Sequence, residues 1–178
     1  MTLICILEFI SAILFHKKKC KNCIDLKMKK TLVYGFGNPG RQDDALGIML
    51  ADEIENWAAA EGFDWISVDS NYQLNIEDAA TIAEYQRIIF ADASKEENID
   101  SFLINKLQPS AQVEFTMHAV SPAFILHLCQ SIYDKHPEAS LLHMKGYEWD
   151  LQEGLSPKAL KNLKDATAAL KKMIQELS

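Results

Sequence analysis

Residues 31–47 read TLVYGFGNPGRQDDALG, and the fold class follows from how this stretch changes character. Thr31 to Tyr34 is a short run suited to a strand. Gly35, Gly37, Pro39 and Gly40 then crowd into a turn that closes on two adjacent carboxylates, Asp43 and Asp44. From Asp44 the apolar spacing becomes helical. A strand, a tight loop with acids at its tip and a helix form the opening unit of an α/β fold. In such folds polar chemistry gathers at the carboxyl edge of the sheet. Asp43 is placed to accept backbone N–H groups at the helix start.

Downstream, Leu46, Ile48, Met49, Leu50, Ile54 and Trp57 mark an apolar stripe to about Ala60, and Gly62 ends the helix. Residues 65–69 (WISVD) read as a second strand. Residues 76–83 read as a short helix with Asn75 as its cap. The run RIIFADA at 87–93 suits a strand buried on both faces, as parallel sheets require, with Asp92 at its end. A charged loop at 95–100 leads to an edge strand at 102–106. Residues 113–117 make a further strand that His118 follows directly. Ser121-Pro122 starts a helix with serine as cap and proline at the first helical position, its apolar residues being Phe124, Ile125, Leu128 and Ile132. Residues 140–144 are the last strand. The loop GYEWDLQEG leads to a second cap-and-proline start, Ser156-Pro157, and a closing helix faced by Leu160, Leu163, Leu170, Ile174 and Leu177. Strands alternating with helices imply an α/β fold, a mainly parallel sheet with helices on both faces. Trp57, Trp65 and Phe90 belong to its core.

The 178 residues suit one domain with a sizeable core. A formal charge of −7 argues against nucleic acid or an anionic membrane surface as partner. Four cysteines, three of them before residue 28, form no disulfide framework, which indicates a reducing compartment such as the cytoplasm. Residues 1–27 differ from the rest: an apolar run from Leu3 to Phe15 precedes the basic cluster Lys17, Lys18, Lys19 and Lys21. The run is shorter than the roughly 20 residues that span a bilayer. Its basic cluster lies on the wrong side for a signal peptide. Residues 1–27 are therefore expected to stand outside the fold, with a weak membrane anchor as the alternative, and residues 28–178 to form the domain. The CxxC of Cys20 and Cys23, with no second pair and no nearby histidine, is expected to be chance spacing.

Three polar positions fall at strand ends that could share one edge: Asp44 with its neighbour Asp43, then Asp92, then His118. Two carboxylates and an imidazole suit a divalent transition metal, and three protein ligands leave room for a substrate. Singly, each has an ordinary reading: a helix-dipole charge, a solvated strand end, a loop histidine. The turn also fits GxGxxG, from Gly35 to Gly40, with Asp69 as a possible ribose contact. Against a dinucleotide, Asp43 and Asp44 would repel a pyrophosphate at the helix start. Asp69 also lies about 29 residues past Gly40, where roughly 20 is usual. There is no GxSxG elbow and no HExxH helix. Cys129 reads as core, His127 and His136 as surface, and His143 as a weaker candidate for the same edge.

GFGNPGRQDDALG resembles the GxGNxxxxDDxxG signature of the nickel–iron hydrogenase maturation proteases. RIIFADAS resembles that family's second strand-end aspartate segment, MHAVSPAFILHL its histidine segment, and GYEWDLQEGLSP its C-terminal stretch. The likeness runs in order from about Lys29 to Leu177. It implies a three-layer, phosphorylase/hydrolase-like sheet between helices. It also implies an endopeptidase that trims a short C-terminal peptide from the large-subunit precursor after nickel has been inserted. The metal-contacting positions match Asp44, Asp92 and His118. Nickel would come from the substrate, the protease having no cofactor of its own. Gly35, Gly37 and Asn38 would shape the loop and let the precursor tail approach, with Gly37, Asn38 and Asp43 as substrate contacts. The protein would act in the cytoplasm as a monomer. The other readings are a metal-independent peptidase on the same fold, such as a relative of the spore germination proteases, a nucleotide-binding module using the Gly35–Gly40 turn, and a non-catalytic chaperone for the precursor.

Overall fold

A computed structural model describes residues 28–112 and 120–177. The expected strand at 113–117, His118 and residues 1–27 lie outside the described residues. The elements, in chain order, are β1 (Thr31–Phe36), a 3-10 turn (Gln42–Ala45), α1 (Leu46–Glu61), β2 (Ile66–Asn71), α2 (Asp78–Ile82), β3 (Arg87–Ser94), β4 (Phe102–Lys106), α3 (Pro122–Tyr133), β5 (Glu138–Lys145) and α4 (Pro157–Gln175). The strand order is β2-β1-β3-β5-β4. All neighbours are parallel except β4, which runs antiparallel to β5 at the edge.

Side chains alternate across the pleat and so divide the core in two. Val33, Ile89, Ala91, Leu142 and Met144 face α1 and α4, meeting Leu46, Leu50, Ile54, Leu163 and Leu170. Leu32, Tyr34, Ile88 and Phe90 face the other way, onto Ile82 of α2 and Ile125, Leu126 and Cys129 of α3. The reversal of direction after β2 explains the two layers. Right-handed crossovers running opposite ways across a sheet put their helices on opposite faces. The chain goes from β1 out to β2, then back past β1 to β3. The switch point therefore lies between β1 and β3, and the crevice that α/β sheets use opens above their carboxyl ends.

Several sequence expectations need correction. The helix does not start at Asp44: a 3-10 turn comes first and α1 begins at Leu46, with Met49 on its exposed side. Asn75 does not cap α2; instead its own N–H donates to the Asp78 carboxylate at 2.7 Å, and the helix is only five residues long. Ile132 and Leu160 are exposed, while Ala159 and Ala166 take the inward positions of α4. Trp57 and Trp65 are only partly buried, stacked around Phe63 at the rim of the core. Gly62 does end α1, in the left-handed region with φ 71°. Both serine caps form: Ser121 Oγ accepts from Phe124 N and Ser156 Oγ from Ala159 N.

Candidate active site

Asp44 and Asp92 come together in one cleft at the switch point. Its volume is about 480 Å3, and Phe36, Gly37, Asn38, Arg41, Tyr72 and Gln73 complete its lining. Asp44 arrives from the turn after β1 and Asp92 from the end of β3. Asp44 Oδ2 accepts the Asn38 N–H at 3.2 Å, and Asp92 Oδ1 accepts the Ala93 N–H at 2.7 Å. Burial pushes the Asp92 carboxyl up to about 7. The Ala93 N–H opposes that shift, and the negative charge of Asp44 adds to it. A larger hollow of about 590 Å3 lies at the amino end of the strands. At its border Lys29 and Arg87 both pair with Glu138.

The backbone of the turn is set by glycine. Gly37 has φ 139°, and a Cβ there would lie 1.9 Å from the Asp44 carbonyl oxygen. Gly35 and Gly47 let β1 and α1 touch, since a Cβ on either would lie 2.1–2.3 Å from carbonyl oxygen of the other element. The close approach that these glycines permit is thus within the chain itself. The Asn38 N–H that a phosphate would need is already bound by Asp44, which counts against the nucleotide reading of the turn. Asp69 is exposed on the far side of β1, its carboxylate accepting the Ser70 N–H.

Asp43 does neither of the things expected of it. It caps no helix and is fully buried, out of reach of any substrate. Its Oδ2 accepts Tyr147 N at 2.7 Å, Glu148 N at 2.9 Å and Ser156 Oγ at 2.8 Å, and its Oδ1 accepts Ser156 N at 2.7 Å. Burial pushes this carboxyl up. The donors from Tyr147, Ser156 and Glu148 outweigh burial and hold it below the usual carboxylate range. Neighbouring contacts extend the seam. Gln42, at φ 47°, donates from N to Gln152 O and from Nε2 to Glu148 Oε2, and accepts Asp150 N. Asp43 N donates to Glu148 O, and Arg41 Nη2 to Trp149 O. The loop from Gly146 to Ser156 is thereby fastened beneath the cleft. With Asp43 turned inward, Asp44 is left to face the cleft.

The remaining candidates separate cleanly. Cys129 is buried, as expected, and burial pushes its thiol up against the pull of Lys135. His136 is exposed beside Asp134, and His127 is half-buried next to Ser131 Oγ. His143 pairs in register with Asp92 but does not line the cleft. Burial lowers its pKa, with Glu96 opposing. Arg41, Tyr72 and Gln73 were missed by the sequence reading. They sit among turn residues whose side-chain direction no spacing rule reports.

No protein-family profile matches the chain, and no curated protein does at the level of sequence. Solved structures do match. A [NiFe] hydrogenase maturation protease HycI from Thermococcus kodakarensis KOD1 superposes with a TM-score of 0.64 at 17% identity, over 85% of this chain and 94% of that one. The hydrogenase maturating endopeptidase HybD from E. coli gives 0.64 at 18% identity, over 83% and 93%. The fold is that of the hydrogenase maturation proteases. A third protein of this fold, the hydrogenase 2 maturation peptidase from Thaumarchaeota archaeon SCGC_AB-539-E09, matches with 0.59 at 19% identity, over 82% and 98%. The sheet and its helices on both faces are therefore an arrangement shared with these structures. Among the described residues no helix is long and apolar enough to cross a membrane.

Proposed function

We propose that the protein is an endopeptidase that removes a short C-terminal peptide from the nickel-loaded precursor of a [NiFe] hydrogenase large subunit. The observation that carries this reading is the meeting of Asp44 and Asp92 in one cleft, at the switch point of a fold that hydrogenase maturation proteases share. Asp44, Asp92 and His118 are the residues assigned to the substrate's nickel. The donor chemistry fits. Two carboxylates close enough for one to raise the other's pKa lose that repulsion when a divalent cation lies between them.

Asp92, with its pKa near 7, must release its proton to bind a cation, so loading the cleft is coupled to deprotonation. Hydrolysis joins a water oxygen to the scissile carbonyl carbon and breaks the C–N bond, the departing nitrogen taking up a proton. The carboxylates hold the metal-bearing end of the precursor against the cleft. The lining from Phe36 to Asn38 is the surface along which its tail extends. Substrate-bound nickel would polarise the carbonyl or activate the water. A requirement for nickel makes the protease an inspector of its substrate: an unloaded precursor offers nothing for Asp44 and Asp92 to hold.

The test is a processing assay. The large-subunit precursor from the same cell, with and without nickel, is incubated with the protein and weighed by mass spectrometry. The expected result is loss of a short C-terminal peptide from the nickel-loaded form alone. Asp44→Asn keeps the shape of the side chain and its Oδ acceptor for Asn38, so it should fold normally and lose processing by a factor of a hundred or more, on the order of a lost catalytic contact. Full processing by Asp44→Asn refutes the site assignment. Equal processing of the nickel-free precursor refutes the role of nickel.

A further inference from the structure

Arg41 is the cationic residue in the lining of a cleft that carries two carboxylates, yet it pairs with neither. Among the described residues it has no carboxylate partner within ion-pair distance. Among the described residues its side chain makes one hydrogen bond, from Nη2 to the Trp149 carbonyl oxygen at 3.2 Å. Asp44 takes the Asn38 N–H instead, and Asp92 the Ala93 N–H. An arginine present only to neutralise the acids would be found on one of them. Here the guanidinium is tethered outside the cleft lining, on a stretch that is itself held fast. Gln42 and Asp43 fasten residues 147–156 through both backbone and side chain. The Trp149 ring lies under Lys95 Nζ, 4.5 Å from its centroid. A guanidinium has five N–H donors in a fixed planar fork, and a single bond leaves most of them free. That fork matches a carboxylate with two parallel hydrogen bonds. Tyr72, on the lip of the same cleft and 63% exposed, offers an aromatic face for the chain that bears such a group.

We propose that Arg41 is a carboxylate receptor. The segment processed in this cleft brings an acidic group, either an aspartate or glutamate side chain or its own terminal carboxylate, onto the Arg41 fork. The proposal rests on the peptidase reading above and adds the chemistry of the tail that this site selects.

The experiment measures binding and processing separately. Affinity for the nickel-loaded precursor is measured by titration, and kcat and KM by mass spectrometry, for the wild type, Arg41→Gln and Arg41→Lys. Circular dichroism checks that each variant is folded. Arg41→Gln should weaken binding on the order of tenfold, as loss of a charge-assisted two-point contact does, with the defect larger in KM than in kcat. Arg41→Lys should fall between, keeping the charge without the fork. Precursors with each acidic tail residue neutralised in turn, and one extended beyond its natural terminus, locate the partner. The partner is the change that weakens binding to wild type but not to Arg41→Gln: a side-chain neutralisation or the extension distinguishes the two sources. Wild-type affinity and KM in Arg41→Gln would overturn the proposal. So would a defect that persists equally on every altered precursor. A wild type that binds without cutting refutes the peptidase reading and leaves the Arg41 contact to be judged on affinities. A wild type that neither binds nor cuts overturns both.

Discussion

Replacing Asp43 with asparagine removes a charge and almost no volume, at a carboxylate that accepts from four donors in complete burial. The best orientation of the amide keeps its oxygen toward Tyr147 N, Glu148 N and Ser156 Oγ. Its NH2 then meets the Ser156 N–H, donor against donor. Three bonds fall from charge-assisted to neutral strength and one buried N–H loses its acceptor. At about 1–3 kcal/mol for the orphaned donor and some tenths for each weakened bond, less the relief of no longer burying a charge, the cost is about 3 kcal/mol. For a domain of this size that lowers Tm by roughly 6–12 °C. The pH dependence identifies the cause. The folded pKa of Asp43 lies below its ordinary value of 3.8, so its stabilisation is complete above pH 3.8 and is lost as pH falls through the folded pKa. The gap between wild type and Asp43→Asn should therefore be constant from pH 8 to 5 and close as the solution is acidified further. Urea unfolding followed by circular dichroism at a series of pH values measures it. A gap under about 0.5 kcal/mol at pH 7, or one that does not shrink in acid, would refute this account of the seam.

Asp92→Asn should do the opposite. A pKa raised from 3.8 to about 7 means the ionised carboxylate costs stability as pH rises through that window, to an upper bound of about 4 kcal/mol at pH 8. The variant should melt higher than wild type at pH 8, with a smaller advantage at pH 5, and should not process precursor; a lower Tm at pH 8 contradicts the burial argument. Gly37→Ala forces a side chain into a left-handed conformation against the Asp44 carbonyl, which should cost about 1–3 kcal/mol and misplace Asp44, readable as a lower urea midpoint together with lost processing. Ser156→Ala removes both the cap of α4 and one of the four donors to Asp43, for about 2 kcal/mol; an unchanged urea midpoint would show the cap to be idle.

The layered fold was legible because its signals are local. Residues 88–91 announce a strand buried on both faces, and the Ser-Pro pairs at 121 and 156 announce helix starts by their chemistry. Strand order was not legible, because the pairing of β1 with β3 and of β3 with β5 depends on crossover geometry rather than on pattern. Asp44 and Asp92 could be anticipated, since one lies in the turn after β1 and the other near the carboxyl end of β3, both strands that patterning marks, and the carboxyl edge is where such positions meet. Asp43 was misread because adjacent aspartates look alike in sequence. Which one turns inward is decided by donors from Tyr147, Glu148 and Ser156, more than 100 residues away. Arg41 was invisible for the same reason: its tether is a carbonyl at residue 149.

That long-range seam has a bearing on how the protein comes into being. The turn that presents Asp44 is held by backbone and side-chain groups of residues 147–156, which a ribosome adds only after all five strands of the sheet. Until that part of the chain emerges, the Asp43 carboxylate lacks all four of its donors and Arg41 lacks its anchor. A half-made chain can pair β1 with β3, since both are already synthesised, yet it cannot hold the cleft in its working shape. The cleft thus takes its shape only after every strand of the sheet has been made. Residues 147–156 serve as the clasp that turns an earlier-made sheet into a finished site.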